Sequence, residues 1–365
     1  MIKPALRRVW RDHQTLQLGA DPSTAVVIGG LDHASARLVE TLDGSRDLAG
    51  VQAAAQRLGV APSRADHLLA VLHGSGVLTD GAADHSSLAA LTPTERDRLA
   101  PDVAAASIAR PGPESGVAVL ARRRGRSLVV HGGGRVGAGA VRLLAAAGIG
   151  SVAVADVATV RPADLSPAGL STTALGARRQ EAAARAARAD APSVRTRSAE
   201  PAATRPDLVV VAPDPGSGAD PRLLERLLRD GVPHLLAQVR DVVGVVGPLV
   251  LPGRSSCSRC HDLHRADRDR GWASVAAQLR APVRSDSPTS ACDVVLAAAV
   301  AAHTVLQALA YLDGGPGSDL PPAVDGTLEV ALADGSVRRR SWSTHPSCGC
   351  TWGMFPVRPD GPAAV

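Results

Sequence analysis

A glycine-rich turn between two buried apolar segments constrains this chain more than any other feature. The stretch from Ser127 to Asp156 reads SLVVHGGGRVGAGAVRLLAAAGIGSVAVAD, which predicts a strand, a tight turn, an alanine-rich helix and a second strand. Gly132, Gly134 and Gly137 form the pattern G-x-G-x-x-G at the turn. Such glycines permit the turn, let backbone N–H groups approach a phosphate and let the helix pack closely on the strand. The stretch therefore predicts a βαβ unit that binds an anionic nucleotide.

Three further groups are predicted to lie beside this turn. The helix that begins near Arg135 presents unpaired N–H donors and a partial positive charge. Asp156 ends the second strand, where a carboxylate can accept hydrogen bonds from ribose hydroxyls. A third buried strand, DLVVVAPD, ends at Asp214. Because ligands bind at the carboxyl ends of the strands in such sheets, we expect a Rossmann-like nucleotide site formed by the turn, Arg135 and both aspartates.

Apolar segments and helical patterns alternate through the rest of residues 122–365. Strand-like segments HLLAQV and VVGVVGPLVLPG follow the helical pattern PRLLERLLRDG. This order predicts an α/β domain with a mostly parallel sheet covered on both faces. The longest apolar pattern, Val294 to Leu312, contains His303 and Gln307, and we interpret it as a buried core helix and not a membrane span. The run ARRRGR before the first strand is interpreted as a solvated lead-in, with phosphate contacts as the alternative.

Residues 1–85 are predicted to form a separate small α+β domain. TLQLG and TAVVIGG suggest a β-hairpin, and GSGVLTD suggests a later short strand. Three helical patterns lie between them, at residues 34–42, 48–58 and 63–73, with Asp47 and Ser63 as expected N-caps of the second and third. This order is typical of a winged helix. Residues 86–121 would then connect it to the α/β domain.

The basic composition does not indicate a nucleic-acid partner. The net charge is +5, but Lys3 is the only lysine, and the aromatic residues are four Trp, one Tyr and one Phe. A polynucleotide binder would combine a basic stripe with stacking aromatics. The candidate recognition helix, SRADHLLAVLH, has Arg64 as its one arginine, so peptide binding is at least as well supported as DNA binding. The N-terminus lacks the apolar region of a secretory signal, and we expect a cytoplasmic protein without a membrane partner.

Four of the five cysteines form two close pairs. The pairs read C-S-R-C and C-G-C, and they comprise Cys257, Cys260, Cys348 and Cys350. Two such pairs far apart in sequence are typical of a structural zinc site with four thiolates. The second pair is one residue tighter than usual, which leaves His261 and His345 as alternative ligands. Unpaired buried cysteines are the remaining interpretation.

These motifs, in this order, resemble the ThiF family, the activating enzymes of ubiquitin-like modifiers and sulfur carriers. The resemblance covers residues 122–352. It implies that ATP with Mg²⁺ lies over the glycine turn and that zinc binds the cysteine quartet. It further implies that the C-terminal carboxylate of a peptide or small carrier protein is adenylated with release of pyrophosphate. A homodimer is implied as well.

The resemblance also assigns roles to individual residues. It places phosphate at the three glycines, ribose at Asp156, and magnesium with the reacting phosphate at Asp214. The segment LGARRQEAA resembles the one that carries a phosphate-contacting lysine, with Arg179 in that lysine's place and Arg178 beside it. Cys292 falls where several family members place a nucleophilic cysteine. Its apolar neighbours favour an inert thiol instead.

Two departures from the family pattern leave the function open. The stretch ADLSPAGLS replaces a family segment whose asparagine and arginine bind the triphosphate, and losing such electrostatic partners slows catalysis by orders of magnitude. A winged helix ahead of a ThiF-like domain resembles the partner proteins of azole-forming cyclodehydratases in TOMM biosynthesis, where it binds a leader peptide. The first hypothesis is an ATP-dependent adenylyltransferase. The second is a non-catalytic recognition subunit for a peptide-modifying enzyme, and the third, which the cysteine quartet disfavours, is a nicotinamide-dependent oxidoreductase.

Overall fold

The computed structural model describes residues 1–80, 88–109, 114–198, 205–280, 290–315 and 318–351. The chain forms two compact units, Met1–Arg122 and Arg123–Val365. The expected domain boundary at residue 85 lies outside the described residues. The segment expected to connect the domains contains helix α4 (Pro93–Ala109) and the start of α5 (Gly116–Gly125).

The first unit contains a three-stranded antiparallel sheet in the order β1-β2-β3. Its strands are β1 (Arg8–Trp10), β2 (Leu16–Leu18) and β3 (Val26–Ile28), and its next helices are α1 (His33–Glu40), α2 (Leu48–Arg57) and α3 (Pro62–Gly74). The predicted hairpin is the β2–β3 pair, in which Leu16 lies opposite Ile28. Strand β1 was not predicted. Its three residues are all exposed, so it lacks the alternating apolar pattern that reveals a half-buried strand.

Two helix N-caps of this unit were predicted from the sequence, and one of them is correct. Asp47 caps α2 and accepts a hydrogen bond from the Gly50 N–H at 2.8 Å, as predicted. The predicted cap at Ser63 is wrong, because α3 already begins at Pro62 after Ala61. Proline suits this position, since its fixed φ is helical and its missing N–H has no partner to lose. The strand predicted after α3 is a single bridge between Leu78 and Ile2.

The second unit is built on an eight-stranded sheet in the order β11-β10-β9-β8-β7-β4-β5-β6. The strands β4 to β8 are parallel, and β9 to β11 extend the sheet in antiparallel fashion. Their bounds are β4 (Ser127–His131), β5 (Ser151–Ala155), β6 (Arg195–Ser198), β7 (Leu208–Val211), β8 (His234–Arg240), β9 (Val243–Val250), β10 (Gly326–Ala331) and β11 (Val337–Ser341). The prediction of a mostly parallel α/β sheet is confirmed.

Helices cover both faces of this sheet. They are α6 (Arg135–Ala146), α7 (Arg179–Asp190), α8 (Pro221–Arg229), α9 (Ser258–Arg268), α10 (Trp272–Arg280) and α11 (Val294–Asp313). Apolar residues of α6, α7 and α11 share one core with Leu128 and Val130 of β4. On the opposite face, Leu224 and Leu227 of α8 pack against Val209 of β7. Because neighbours on a strand alternate between the faces, the continuous apolar pattern of β7 is what a doubly covered strand requires.

Among the described helices, only α11 is long and apolar enough to span a membrane by length and composition. Its contacts are those of a core helix. Gln307 accepts a hydrogen bond from the Ala323 N–H at 2.9 Å, and the Asp313 carboxylate pairs with the Arg123 guanidinium at 2.6 Å. Both partners of that ion pair are buried. The interpretation of the ARRRGR run as solvated is therefore wrong for Arg123.

Candidate functional site

The glycine turn lies at the C-terminal end of β4, between β5 and β7 in the sheet. The chain leaves β4 toward β5 on one side and later returns to β7 on the other, which creates the crevice where α/β sheets bind ligands. Gly132 has φ +101°, and a Cβ there would collide with the Ala212 carbonyl oxygen. A Cβ on Gly137 would collide with the Gly132 carbonyl oxygen. The turn and α6 can therefore pack this closely only with glycine at both positions.

The N-terminus of α6 offers donors to an anion. Gly134 is its N-cap and supplies no side-chain acceptor, so the first N–H groups of the helix have no capping oxygen. Arg135, the first helical residue, donates from Nη1 to the Cys292 carbonyl oxygen at 2.7 Å. Its Nε is buried and has no hydrogen-bond partner among the described residues. An unsatisfied cationic donor at a helix N-terminus fits a phosphate ligand.

Asp156 holds the glycine turn against the end of β5. Its Oδ2 accepts a hydrogen bond from the Gly133 N–H at 2.7 Å, and its Oδ1 accepts one from the Ala158 N–H at 2.9 Å. An ionised carboxylate has about four acceptor sites, and Oδ2 also faces Arg179 Nη1 at 3.4 Å, so Oδ1 keeps capacity for a further donor. The residue therefore fixes the turn and can still accept hydrogen bonds from a ligand hydroxyl.

Arg179 is the buried centre of the site, with 2% of its side chain exposed. Its Nε and Nη2 donate to the two oxygens of Asp164 at 3.0 and 2.6 Å. Its Nη1 lies 2.8 Å from Oδ1 of Asp214 and 3.4 Å from Oδ2 of Asp156. Burial alone would lower the pKa of Arg179, but hydrogen bonds to Asp164 and the charge of Asp214 outweigh it and raise the pKa. The guanidinium is therefore always charged.

The charge at this centre is unbalanced, because one guanidinium faces three carboxylates. The side chains of Asp156 and Asp164 are 11% and 10% exposed, whereas that of Asp214 is 43% exposed. Asp214 is thus the carboxylate that is accessible to a solvated cation. Carboxylate oxygens with excess negative charge are the ligands that Mg²⁺ prefers.

Asp164 is the site residue that sequence reasoning missed. It lies in a short 3₁₀ turn, Pro162–Asp164, after β5, and its Oδ2 also accepts the Arg161 N–H at 2.8 Å. It belongs to the stretch ADLSPAGLS, where it is the only acidic residue. A single acidic residue in this stretch was the only sequence signal, and the sequence does not show that its partner is Arg179.

Two other predicted residues lie apart from this centre. Arg178 is exposed and donates to the Val157 carbonyl oxygen at 3.3 Å. Cys292 is half-buried before α11, and burial raises the pKa of its thiol, although the charge of Arg135 opposes this effect. A thiol held in its protonated form is a weak nucleophile. The inert interpretation of Cys292 stays our prediction.

The two cysteine pairs meet beside the N-terminus of α9, without His261 or His345. The sulfur–sulfur distances are 3.8, 3.5 and 3.4 Å for the pairs 257–260, 257–348 and 260–350. Four thiolates around one zinc at about 2.3 Å place the sulfurs about 3.8 Å apart. Burial raises the pKa of Cys350 to about 12, so a cation would be needed for all four to ionise. The donor set and its spacing fit a tetrahedral zinc ion.

A cavity of about 210 Å³ opens beside the loop that follows Asp214. Gly216 and Gly218 line one side of it, and the rest of the lining comes from α8, α9 and α10, from β8, β9 and β10, and from the β8–β9 turn. The Arg265 guanidinium, part of this lining, lies 5.0 Å from the Trp272 ring centroid and 4.8 Å from that of Trp342. Burial and the nearby charge of Arg240 lower the pKa of Arg265 to about 10. The cavity therefore combines apolar walls with an excess of positive charge.

Comparison with known proteins identifies a family for this chain and solved structures with a similar fold. The ThiF family model matches residues 112–350. A search of curated protein sequences finds no significant match. Among solved structures, E. coli MccB with ATP superposes with a TM-score of 0.71 at 13% identity, over 96% of this chain and 98% of that one. The microcin C7 biosynthetic enzyme MccB in complex with N-formylated MccA gives 0.68 at 13% identity, over 96% and 99%. PaaA gives 0.69 at 16% identity, over 94% and 100%.

Proposed function

The chain belongs to the ThiF family, and from that premise we propose that it uses ATP to adenylate the C-terminal carboxylate of a peptide. One observation carries the proposal. The glycine turn, the uncapped N-terminus of α6 and a solvent-facing aspartate converge at the carboxyl ends of β4 and β7, which is where sheets of this type bind ligands. MccB, whose fold this chain shares, has been solved with ATP and with N-formylated MccA.

The reaction balances without a proton transfer. An oxygen of the peptide carboxylate attacks the α-phosphorus of ATP, and the bond from that phosphorus to the bridging oxygen breaks. The products are an acyl adenylate and pyrophosphate. Because negative charge builds up on the departing pyrophosphate, fixed cationic donors lower the barrier most.

The residues of this chain divide that work. The backbone N–H groups of the glycine turn and α6 bind phosphate oxygens, and Arg135 adds a cationic donor. Arg178, whose exposed side chain donates to the Val157 carbonyl oxygen, stays a predicted phosphate contact. Asp156 accepts from the ribose, and Asp214 holds Mg²⁺, which neutralises phosphate charge when bound. Arg179 keeps Asp214 in place.

The acceptor is a peptide because two surfaces suit an extended chain. The cavity beside the loop after Asp214 offers Arg240 and Arg265 to an acidic residue of the peptide. In the first unit, β1 is an exposed edge strand, with Val9 and Trp10 each more than two-fifths exposed. Edge strands bind peptides by main-chain hydrogen bonds. A small carrier protein with a free C-terminal tail would present the same chemistry.

Structural zinc completes the proposal. The four cysteine sulfurs join α9 to the C-terminal segment, residues 342–351, so zinc would stabilise the unit that carries the glycine turn. We also propose a cytoplasmic homodimer, in keeping with the family. Neither nucleic acid nor membrane is proposed as a partner.

A second candidate is a non-catalytic subunit that binds a peptide for a partner enzyme. The observation in its favour is that the donors of Arg179, which borders the glycine turn, are divided among three carboxylates. The stretch ADLSPAGLS after β5 contributes Asp164 to that cluster and contains no arginine, lysine or asparagine. The same peptide surfaces would then serve recognition alone.

The test is isotope exchange between labelled pyrophosphate and ATP. The assay uses the purified full chain, MgATP and a library of synthetic peptides with free C-termini. We expect exchange with the accepted peptides and none with their C-terminally amidated copies. Asp214→Asn should lower exchange at least a hundredfold, whereas Asp230→Asn, an exposed aspartate at the end of α8, should leave it unchanged.

The other outcomes select among the hypotheses. Peptide binding with no exchange and no ATP binding by calorimetry would favour the recognition subunit. Preferential binding of NAD over ATP would favour the oxidoreductase.

A further inference from the structure

We propose that His264, Asp267 and His345 form a second metal site, separate from the cysteine cluster, which binds an exchangeable divalent transition-metal ion. One potential ligand atom of each residue lies within 4.8 Å of the other two. His264 and Asp267 are three positions apart on α9, so they share a face of the helix. His345 comes from the segment between β11 and Cys348.

The geometry is already close to that of a bound site. His345 Nε2 lies 2.9 Å from Asp267 Oδ2, and the ring centroids of His264 and His345 are 4.8 Å apart at 74°. Ligands bound at about 2.0–2.2 Å in a tetrahedron lie about 3.3–3.6 Å apart. The 2.9 Å between His345 Nε2 and Asp267 Oδ2 is shorter than that value, and all three ligand atoms lie within 4.8 Å of one another. Small side-chain rotations, with release of the Ser347 N–H that donates to Nδ1 of His345, would bring the three atoms into place.

Further oxygens lie beside the three residues. Nε2 of His264 is 3.1 Å from the carbonyl oxygen of Ser343 and 3.2 Å from its hydroxyl. Two imidazoles and one carboxylate suit Zn²⁺, Co²⁺ and Ni²⁺, and such a set leaves a coordination position for water. Ser343 can accept a hydrogen bond from that water or from an imidazole N–H, which orients ligands in known sites.

The exposure of the side chains indicates how readily the proposed site exchanges its metal. The His345 side chain is 9% exposed, but that of Asp267 is 63% exposed. An ion held there meets solvent on one side, in contrast to an ion among the cysteines. The site therefore exchanges its metal readily and binds it less tightly than four thiolates do.

Both clusters connect the same two segments, α9 and the chain after β11. The cysteines connect the start of α9, and the proposed site connects its last turns. Metal binding at the second site therefore stabilises the attachment of the C-terminal segment by mass action. This inference does not depend on the proposed adenylation, since it rests on other residues.

The experiment is a calorimetric titration of Ni²⁺ into tag-free, zinc-loaded full chain from which excess metal has been removed. We expect one further equivalent of metal and a rise in Tm. His264→Ala and Asp267→Asn should each weaken this binding at least about tenfold, the loss seen even for groups that only support a ligand. His67→Ala removes an exposed histidine from α3 and should change nothing.

The inference is wrong if no further equivalent binds, or if either site variant binds Ni²⁺ as tightly as the wild type. Zinc content distinguishes local from global effects. The site variants should retain the zinc that is bound before titration, and a variant that loses it is replaced by His345→Gln in the same assay.

Discussion

At the scale of single residues, the ion cluster around Arg179 decides the stability of the nucleotide site. Arg179→Met leaves the carboxylates of Asp156 and Asp164 buried without a cation. Breaking a buried ion pair from one side costs about 3–5 kcal/mol, and we expect a loss of that size in the free energy of unfolding. Urea denaturation measures it.

Arg178 provides the matched control, because it is the neighbouring arginine and is exposed. Arg178→Met should change the free energy of unfolding by about 0.5 kcal/mol or less. Equal effects of the two substitutions would show that the cluster contributes nothing beyond an exposed arginine.

A second prediction at this scale concerns the pH dependence of stability and depends on His234. Burial lowers its pKa to about 4, and its Nε2 has no hydrogen-bond partner among the described residues. The unfolded chain binds a proton on this ring near pH 6.5, whereas the folded chain does so only near pH 4. The free energy of unfolding is therefore highest above pH 6.5 and falls as the pH drops from 6.5 to 4. At 1.36 kcal/mol per pKa unit, the loss is up to about 3 kcal/mol. His234→Phe should flatten the measured dependence across that window, and an unchanged slope would contradict the assignment.

At the scale of elements, the edge strand β1 tests peptide recognition. The Arg7 carbonyl accepts from the Gly19 N–H and the Arg11 N–H donates to the Thr15 carbonyl, next to the two ends of β2. The alternation of an antiparallel ladder therefore turns the main-chain groups of Arg8 and Trp10 away from β2. Arg8→Pro removes one outward N–H without breaking the ladder. We expect the best-binding peptide of an acidic library to lose at least about tenfold in affinity, equal to 1.4 kcal/mol.

Fluorescence anisotropy with the full chain measures this affinity. Arg8→Ala is the control, because it removes the side chain and keeps the N–H. A loss with alanine as large as that with proline would mean that charge, and not strand addition, holds the peptide.

At the scale of the whole molecule, the cysteine cluster joins parts of the chain that are about 90 residues apart. We predict about one zinc per chain by elemental analysis. Cys348→Ser should remove it and increase hydrogen exchange in α9 and in residues 342–351, because metal binding and folding are linked at such sites. Cys292→Ser, outside the cluster, should retain the zinc. Protein purified without chelator that contains no zinc would end this proposal.

The sequence alone determined those features that depend on local backbone chemistry. The glycine turn was predictable because its φ and its close contacts exclude other residues, and the order of strands and helices followed from apolar periodicity. The cap of α2 needed only an aspartate three positions before its donor. The cysteine pairs were recognisable because their spacing is itself the chemical signal.

Only the tertiary structure decided which distant side chains became partners. Arg179 forms an ion pair with Asp164 from the loop after β5, and Arg123 forms one with Asp313, which is 190 positions away. His264 and His345 likewise came together from separate segments. Charged and imidazole side chains carry no periodic signal of their own, since many are equally suited to solvent. Their partners are set by which residues the packed sheet and helices leave side by side, away from water.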